Sequence, residues 1–157
     1  MNIYALSSGR GPSGIAIVRI SGKKILEICK KLTKLDIIRS NEVNFCKFYD
    51  PKNGDVIDPE ALLLWFPGPN SYTGYDLAEL QIHGSNAVIG ALLRVLSEQE
   101  NCRLAEPGEF TKLAFQNDKI DLLKAESIGD LIHSETELQR EQAVKIIQGN
   151  ASNYYND

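Results

Sequence analysis

Hydrophobic and polar residues alternate along residues 76–83, and this period of two predicts a β-strand. Ala78, Leu80 and Ile82 fall on one face of the strand, which we expect to pack in the core. Glu79 falls on the other face, and burying a carboxylate is costly unless it is hydrogen-bonded. The pattern predicts either a strand with one solvated face or a carboxylate that faces a cleft and a polar ligand.

Further strands are predicted on both sides of this segment. Residues 61–66 form an unbroken apolar run of strand length, which is typical of a strand buried on both faces. Shorter apolar or alternating segments predict strands at residues 3–6, 15–20, 43–49 and 102–105.

Helical periodicity is clearest in residues 85–96, where apolar residues occur nearly all round the helix and predict that it is largely buried. Ser85 is in a position to cap this helix, and Ser21 is in a position to cap a shorter one over residues 22–32. Strands and helices together predict a domain that contains both types of element.

The character of the chain changes at Pro107, after which every predicted element is a helix. The last apolar stripe has little sequence left to pack against. We therefore predict a first domain over residues 1–118 and the first helices of a truncated helical domain over residues 119–157.

Charge and composition narrow the classes of function. A formal net charge of −4 and a pI near 5.3 argue against a protein that binds nucleic acid alone. If RNA is the substrate, another domain or partner must contact its phosphates. No apolar run approaches the ~20 residues of a membrane span. Three cysteines without a CxxC pair, Cys29, Cys46 and Cys102, indicate reduced thiols in a cytosol-like compartment.

Arg19 and Glu79 are the sharpest candidate site residues. Arg19 shares a strand face with Ile15 and Ile17, and a guanidinium on a dry strand needs a carboxylate or an anionic ligand. An internal Arg19–Glu79 ion pair and a ligand site agree equally well with the periodicity. The sequence has no GxxxxGK[ST] motif and no histidine pair at metal-ligand spacing, so neither a P-loop nor a metal site is expected.

Four segments, in order and spacing, resemble the N-terminal domain of the MnmE (TrmE) family of tRNA modification GTPases. They are GRGPSGIAIVRISG (9–22), LWFPGPNSYTGYDLAELQIHG (64–84), PGEFTKLAFQNDKIDLLKAESIGDLI (107–132) and QG (148–149). The combination is specific, although no single motif is.

The resemblance implies an α+β fold, with a mixed sheet and packed helices, related to the folate-binding module of aminomethyltransferases. It also implies that residues 1–118 bind folate and form a homodimer. It implies 5-formyltetrahydrofolate or another one-carbon tetrahydrofolate as the ligand, contacted by Arg19, Glu79 and Lys119. A carboxylate can accept both N–H donors of the pterin edge, and Arg or Lys suits the anionic glutamate tail.

The resemblance also implies a cytoplasmic parent protein with a GTP-binding domain, absent here, that would hold GTP, potassium and magnesium. Such proteins act with an FAD-dependent MnmG-type partner on C5 of the wobble uridine of tRNA. The family's C-terminal cysteine motif is absent, so we assign no catalytic role to the three cysteines and name no catalytic residue. Because the GTP-binding domain is also absent, we expect no activity from this chain alone.

Two alternatives remain open from the sequence. One is a stand-alone aminomethyltransferase-like one-carbon module, for which Asp76 or Asp118 would supply a catalytic acid. The other is a pure dimerisation domain, in which Arg19 and Glu79 only neutralise each other.

Overall fold

The computed structural model describes residues 1–8, 14–117, 132–133, 135–137 and 140 of the 157-residue chain. Its strands and helices, in chain order, are β1 (Asn2–Ser8), β2 (Ile15–Gly22), α1 (Ile25–Thr33), β3 (Val43–Tyr49), β4 (Val56–Phe66), β5 (Asp76–His83), α2 (Asn86–Ser97), β6 (Cys102–Leu104) and α3 (Glu109–Gln116). The few described residues after Asn117 are helical. Most of 119–157 lies outside the described residues, so the boundary at 118 stays a prediction.

The strands form one six-stranded sheet in the order β3-β4-β5-β2-β1-β6. Neighbouring strands are antiparallel except β1 and β6, which are parallel. The predicted α+β fold with a mixed sheet is therefore confirmed. Strands β2 and β5 lie at the centre of the sheet, paired along their whole length from Ile15 opposite His83 to Gly22 opposite Asp76.

Helices α1 and α2 pack on one face of the sheet and form the main core with it. Ile25, Ile28 and Leu32 supply the buried stripe of α1, as their spacing predicts. Burying a leucine or isoleucine side chain contributes about 1.5–3 kcal/mol, so this face supplies most of the stability. Its buried sheet residues include Val18, Ile20, Leu63, Trp65, Ala78, Leu80 and Ile82.

The other face of the sheet is covered only in part. A small cluster of Ile3, Ala5, Ala105 and Phe110 lies there, where α3 packs near β1. Farther along the same face, at β3, Phe45 is 81% exposed. This face carries the candidate site described below.

The prediction that residues 61–66 are buried on both faces is wrong. Leu63 and Trp65 are buried, whereas Leu62 and Leu64 are only half-buried. The reason is that α1 and α2 cover one face of the sheet, and the residues of β4 that point the other way keep partial access to solvent.

The two predicted helix caps have different outcomes. Ser85 caps α2, because its Oγ accepts a hydrogen bond from Val88 N at 3.2 Å. Ser21 does not cap α1: it belongs to β2, and its Oγ donates to Asp76 O at 2.8 Å. Strand pairing with β1 and β5 on both sides extends β2 through Gly22, so α1 begins only at Ile25.

Candidate functional site

Arg19 and Glu79 face each other across the central strands. They are direct partners in the register of β2 and β5, and Arg19 Nη2 lies 3.7 Å from Glu79 Oε1. Each side chain keeps 23% of its surface exposed. The two side chains form an ion pair, but this distance is longer than the 2.7–2.9 Å of a charge-assisted hydrogen bond. Both charged groups therefore keep hydrogen-bonding capacity.

Two aromatic rings flank the Arg19 guanidinium. Its Cζ lies 5.2 Å from the centroid of Tyr72 and 5.7 Å from that of Phe110, within cation–π range. The Nε atom of Arg19 is buried, and no described residue accepts a hydrogen bond from it. Leaving a buried donor unpaired costs about 1–3 kcal/mol, so this N–H needs an acceptor that the described residues do not supply.

The loop between β4 and β5 positions Tyr72. The buried Thr73 fixes this loop: its Oγ1 lies 2.7 Å from Ser21 Oγ, and its carbonyl oxygen accepts from Asn117 Nδ2 at 2.6 Å. Gly74 has φ +84°, and a Cβ there would lie 2.9 Å from Asn117 Cβ. The close approach of loop and helix end thus requires a glycine.

Helix α3 positions Phe110, which is 3% exposed. Glu109 ties the start of the helix to β6, because its carboxylate accepts from Arg103 Nη1 and Nη2 at 2.8 and 2.6 Å. Arg103 thereby lowers the pKa of the Glu109 carboxyl. Thr111, which follows Phe110 in α3, is buried, and its Oγ1 lies 3.2 Å from the Tyr72 hydroxyl. The Thr111 hydroxyl also donates to the Glu135 carboxylate.

The site therefore combines a carboxylate acceptor, a guanidinium with an unpaired N–H and aromatic faces. This set suits a flat, polar ligand with N–H donors on one edge and an acceptor or negative charge elsewhere. The third sequence-predicted site residue, Lys119, lies outside the described residues, as does the loop over residues 9–13. The structure brings Arg19 and Glu79 together and leaves Lys119 a prediction.

The described residues offer little for catalysis. Asp76 Oδ1 accepts from Gly68 N at 2.9 Å and so holds the β4–β5 loop, while Asp118 lies outside the described residues. Burial raises the pKa of the Cys29 thiol to about 12 and that of the Cys46 thiol to about 11, so neither forms the reactive thiolate near neutral pH.

Among the described residues, no group of three or more His, Cys, Asp or Glu side chains is arranged to hold a metal ion. No described helix has both the length and the apolar character needed to cross a membrane.

Sequence reasoning missed Tyr72 and Phe110 as parts of the site. Tyr72 lies in a loop without periodicity, and Phe110 reads only as an inward residue of its helix. It also missed a contact between the side chains of Asp58 and His83: Asp58 is fully buried, with Oδ1 2.9 Å from His83 Nδ1. Asp58 precedes a proline in a polar stretch, and the pattern gives no sign that it is buried.

Comparison with known proteins gives a consistent result. The family model described as "GTP-binding protein TrmE N-terminus" matches residues 2–119. The tRNA modification GTPase MnmE of Pelagibacter ubique is 55% identical over 157 residues, which cover 100% of this chain and 35% of that protein. MnmE of Brucella anthropi is 46% identical over 155 residues, covering 99% of this chain and 34% of the relative.

A eukaryotic relative is also similar. The mitochondrial tRNA modification GTPase gtpbp3 of Dictyostelium discoideum is 41% identical over 159 aligned positions, covering 98% of this chain and 31% of that protein. The chain thus spans about a third of the length of the curated relatives it matches.

Proposed function

The chain belongs to the TrmE N-terminal family, and we propose that it is the tetrahydrofolate-binding and dimerisation domain of a tRNA modification GTPase. The observation that carries the folate proposal is the state of Arg19. Its guanidinium lies near two aromatic rings, is only loosely paired with Glu79 and keeps a buried Nε with no partner among the described residues. A bound ligand can supply the acceptor that this donor needs.

A reduced folate supplies groups that match these side chains. The amino-pyrimidine edge of its pterin carries adjacent N–H donors, and the two oxygens of the Glu79 carboxylate can accept both. The pterin also carries a carbonyl oxygen, an acceptor for which the Arg19 guanidinium has free N–H groups. Lys119 belongs to the proposed site from the family resemblance alone. The bound folate would carry the one-carbon unit, as 5-formyltetrahydrofolate or another one-carbon form.

The dimerisation proposal rests on the uncovered part of the sheet. Val43 and Phe45 of β3 are exposed, and they lie opposite the half-buried Leu64 and Leu62 of β4. Adjacent apolar residues on an exposed sheet face are typical of a protein–protein interface. A second copy of the chain would cover this patch, which lies on the strand next to Glu79.

For the longer parent protein we propose the family's activity. GTP, potassium and magnesium would bind in the part that this chain lacks. With an FAD-dependent MnmG-type partner, the parent would modify C5 of the wobble uridine of tRNA in the cytoplasm. The fold would then be related to the folate-binding module of aminomethyltransferases.

Titration calorimetry of the chain with 5-formyltetrahydrofolate tests the folate proposal. Glu79→Ala should weaken binding by about 1.5–3 kcal/mol, because a charge-assisted acceptor is lost. Glu79→Gln should also weaken it, since the amide nitrogen would face a donor. Glu42→Ala is the matched control: Glu42 is a 61%-exposed carboxylate in a loose surface pair with Arg39 and should leave binding unchanged.

The ion pair itself supports a second candidate, a pure dimerisation domain. In that case Arg19 and Glu79 serve each other only, and the chain will show no folate binding, or binding that Glu79→Ala does not change. Turnover of a one-carbon unit by this chain alone would instead favour the stand-alone transferase.

A further inference from the structure

Asp58 is a fully buried carboxylate with several hydrogen-bond donors around it. Its Oδ2 accepts from the backbone N of His83 at 2.8 Å, and its Oδ1 accepts from the backbone N of Glu60 at 3.0 Å. The ring of His83 adds a further contact, with Nδ1 2.9 Å from Oδ1 and 3.0 Å from Oδ2. These contacts satisfy the buried charge.

An irregularity in β4 explains why an aspartate lies here. Between Phe48 opposite Asp58 and Cys46 opposite Ala61, β4 contains one residue more than β3. Regular pairing of β4 with β5 runs only between Leu62–Phe66 and Leu77–Gln81. Beyond the end of this regular pairing, the Asp58 side chain accepts a hydrogen bond from the backbone N–H of His83.

The contact with Asp58 also fixes the direction of the His83 ring. Because Nδ1 faces a carboxylate, it carries a proton and donates, which leaves Nε2 at the outer end of the ring. The side chain is 56% exposed, and no described residue hydrogen-bonds Nε2. A buried carboxylate thus orients an imidazole whose outer nitrogen is free to bind a ligand.

His83 lies on the strand that carries Glu79. The two residues are four positions apart, which corresponds to about 13 Å at ~3.3 Å per residue, and alternation places both on the same face. Opposite these residues on β2 lie Arg19, facing Glu79, and Ile15, facing His83. Between the two pairs, Ile17 faces Gln81, so an apolar side chain lies beside a polar one on the surface that connects Glu79 with His83.

We propose that His83 is a further ligand-binding residue, whose Nε2 accepts a hydrogen bond from the amide N–H that joins the aminobenzoyl ring to the glutamate tail of the bound folate. The inference rests on the proposed function, which places the pterin at Glu79. A reduced folate is an elongated molecule of pterin, aminobenzoyl ring and glutamate. With the pterin at Glu79, the aminobenzoyl ring of the folate would lie over Ile17 and Gln81, and the glutamate tail would reach His83.

The test uses two ligands and two variants of the whole chain. The ligands are 5-formyltetrahydrofolate and 5-formyl-6-methyltetrahydropterin, which lacks the aminobenzoyl and glutamate parts. His83→Asn retains a donor near the position of Nδ1 but lacks Nε2. His83→Gln places its amide near Nε2 and loses the donor to Asp58. Dissociation constants are measured by calorimetry, and folding is checked by thermal unfolding.

We expect His83→Asn to weaken binding of 5-formyltetrahydrofolate up to about tenfold and to leave binding of the pterin fragment unchanged. His83→Gln should retain more of the affinity for the tailed ligand, although it lowers the melting temperature more. Unchanged binding of 5-formyltetrahydrofolate to His83→Asn would overturn the inference, as would equal weakening of both ligands.

The two proposals fail in different ways. Pterin binding that depends on Glu79, together with folate binding that ignores His83, would overturn only the tail site. Failure of the unaltered chain to bind either ligand would overturn the folate proposal and the tail site with it.

Discussion

Arg19 and Glu79 are direct cross-strand partners, yet their nearest charged atoms are 3.7 Å apart. Opposite residues in an antiparallel pair have Cβ atoms about 5 Å apart, close enough for these long side chains to form a tight bidentate contact. The guanidinium instead lies near the rings of Tyr72 and Phe110. The aromatic residues thus hold Arg19 in place while leaving part of the Glu79 carboxylate available.

Replacing Arg19 separates a binding role from a structural one. We expect Arg19→Ala to weaken 5-formyltetrahydrofolate by about 1.5–3 kcal/mol and to lower the free energy of unfolding by about 1–2 kcal/mol, since the cation–π contacts are lost. Arg19→Lys should retain the charge but still bind weakly, because it lacks the Nε donor and the planar fork. Calorimetry and urea denaturation measure the two effects.

The chain offers a matched control for this prediction. Arg39 and Glu42 are 3.8 Å apart, nearly the same separation, but 75% and 61% exposed. Arg39→Ala should change neither folate affinity nor stability measurably. A large loss of stability in Arg19→Ala with unchanged affinity in the folded fraction would support the purely structural ion pair.

A glycine substitution tests how tightly the Tyr72 loop is held. Gly74→Ala should lower the free energy of unfolding by about 1–3 kcal/mol, because φ is positive and the new Cβ would meet Asn117. It should also weaken ligand binding through Tyr72. Gly90→Ala in α2 is the control: a Cβ there meets nothing within 4 Å, so the helix should gain up to ~1 kcal/mol. Equal stability of the two variants would contradict the described loop contacts.

The Arg103–Glu109 contact predicts a specific pH dependence. Arg103 lowers the pKa of Glu109 in the folded chain, so its contribution is present above the ordinary carboxylate pKa of about 4.3 and is lost as the pH falls through the lowered value. Glu109→Gln should cost about 1 kcal/mol near neutral pH and progressively less in acid. Urea denaturation across this range checks the sign, and a difference that grows in acid would refute it.

The dimer proposal predicts which surface residues matter. Phe45→Glu should weaken self-association at least about tenfold, because it places a charge in the apolar patch of β3 and β4. Ile37→Glu is the control, since Ile37 is equally exposed, at 79%, but lies in the connection before β3.

Deleting residues 134–157 should leave the dimer intact. Sedimentation at micromolar concentration decides: a monomer after the deletion places the interface on the helices.

Local pattern predicts the strands and singles out Arg19 and Glu79 as candidate site residues. Periodicity places Arg19 and Glu79 on strand faces that a core does not need, and the register places them opposite each other. The pattern could not predict features that depend on contacts with other elements of the fold. Ser21 has the composition of a helix cap, but pairing with strands on both sides keeps it in β2.

The contacts of loops and irregular strands cannot be predicted from local sequence for the same reason. Tyr72 reaches Arg19 only because Thr73 and Gly74 fit against Ser21 and Asn117, which are distant in sequence. Asp58 is buried because β4 departs from regular pairing at that point. No local period encodes either arrangement.

The position of β2 and β5 at the centre of the sheet has a consequence for amide hydrogen exchange. Protons in central strands exchange mainly through global unfolding, whereas edge strands such as β3 and β6 open locally. Opening of an edge therefore leaves Arg19 and Glu79 facing each other. A ligand bound between them would slow exchange in the central strands, because binding the folded state lowers the population of globally unfolded molecules. It would leave exchange at the edges nearly unchanged, because molecules with an opened edge still carry the site.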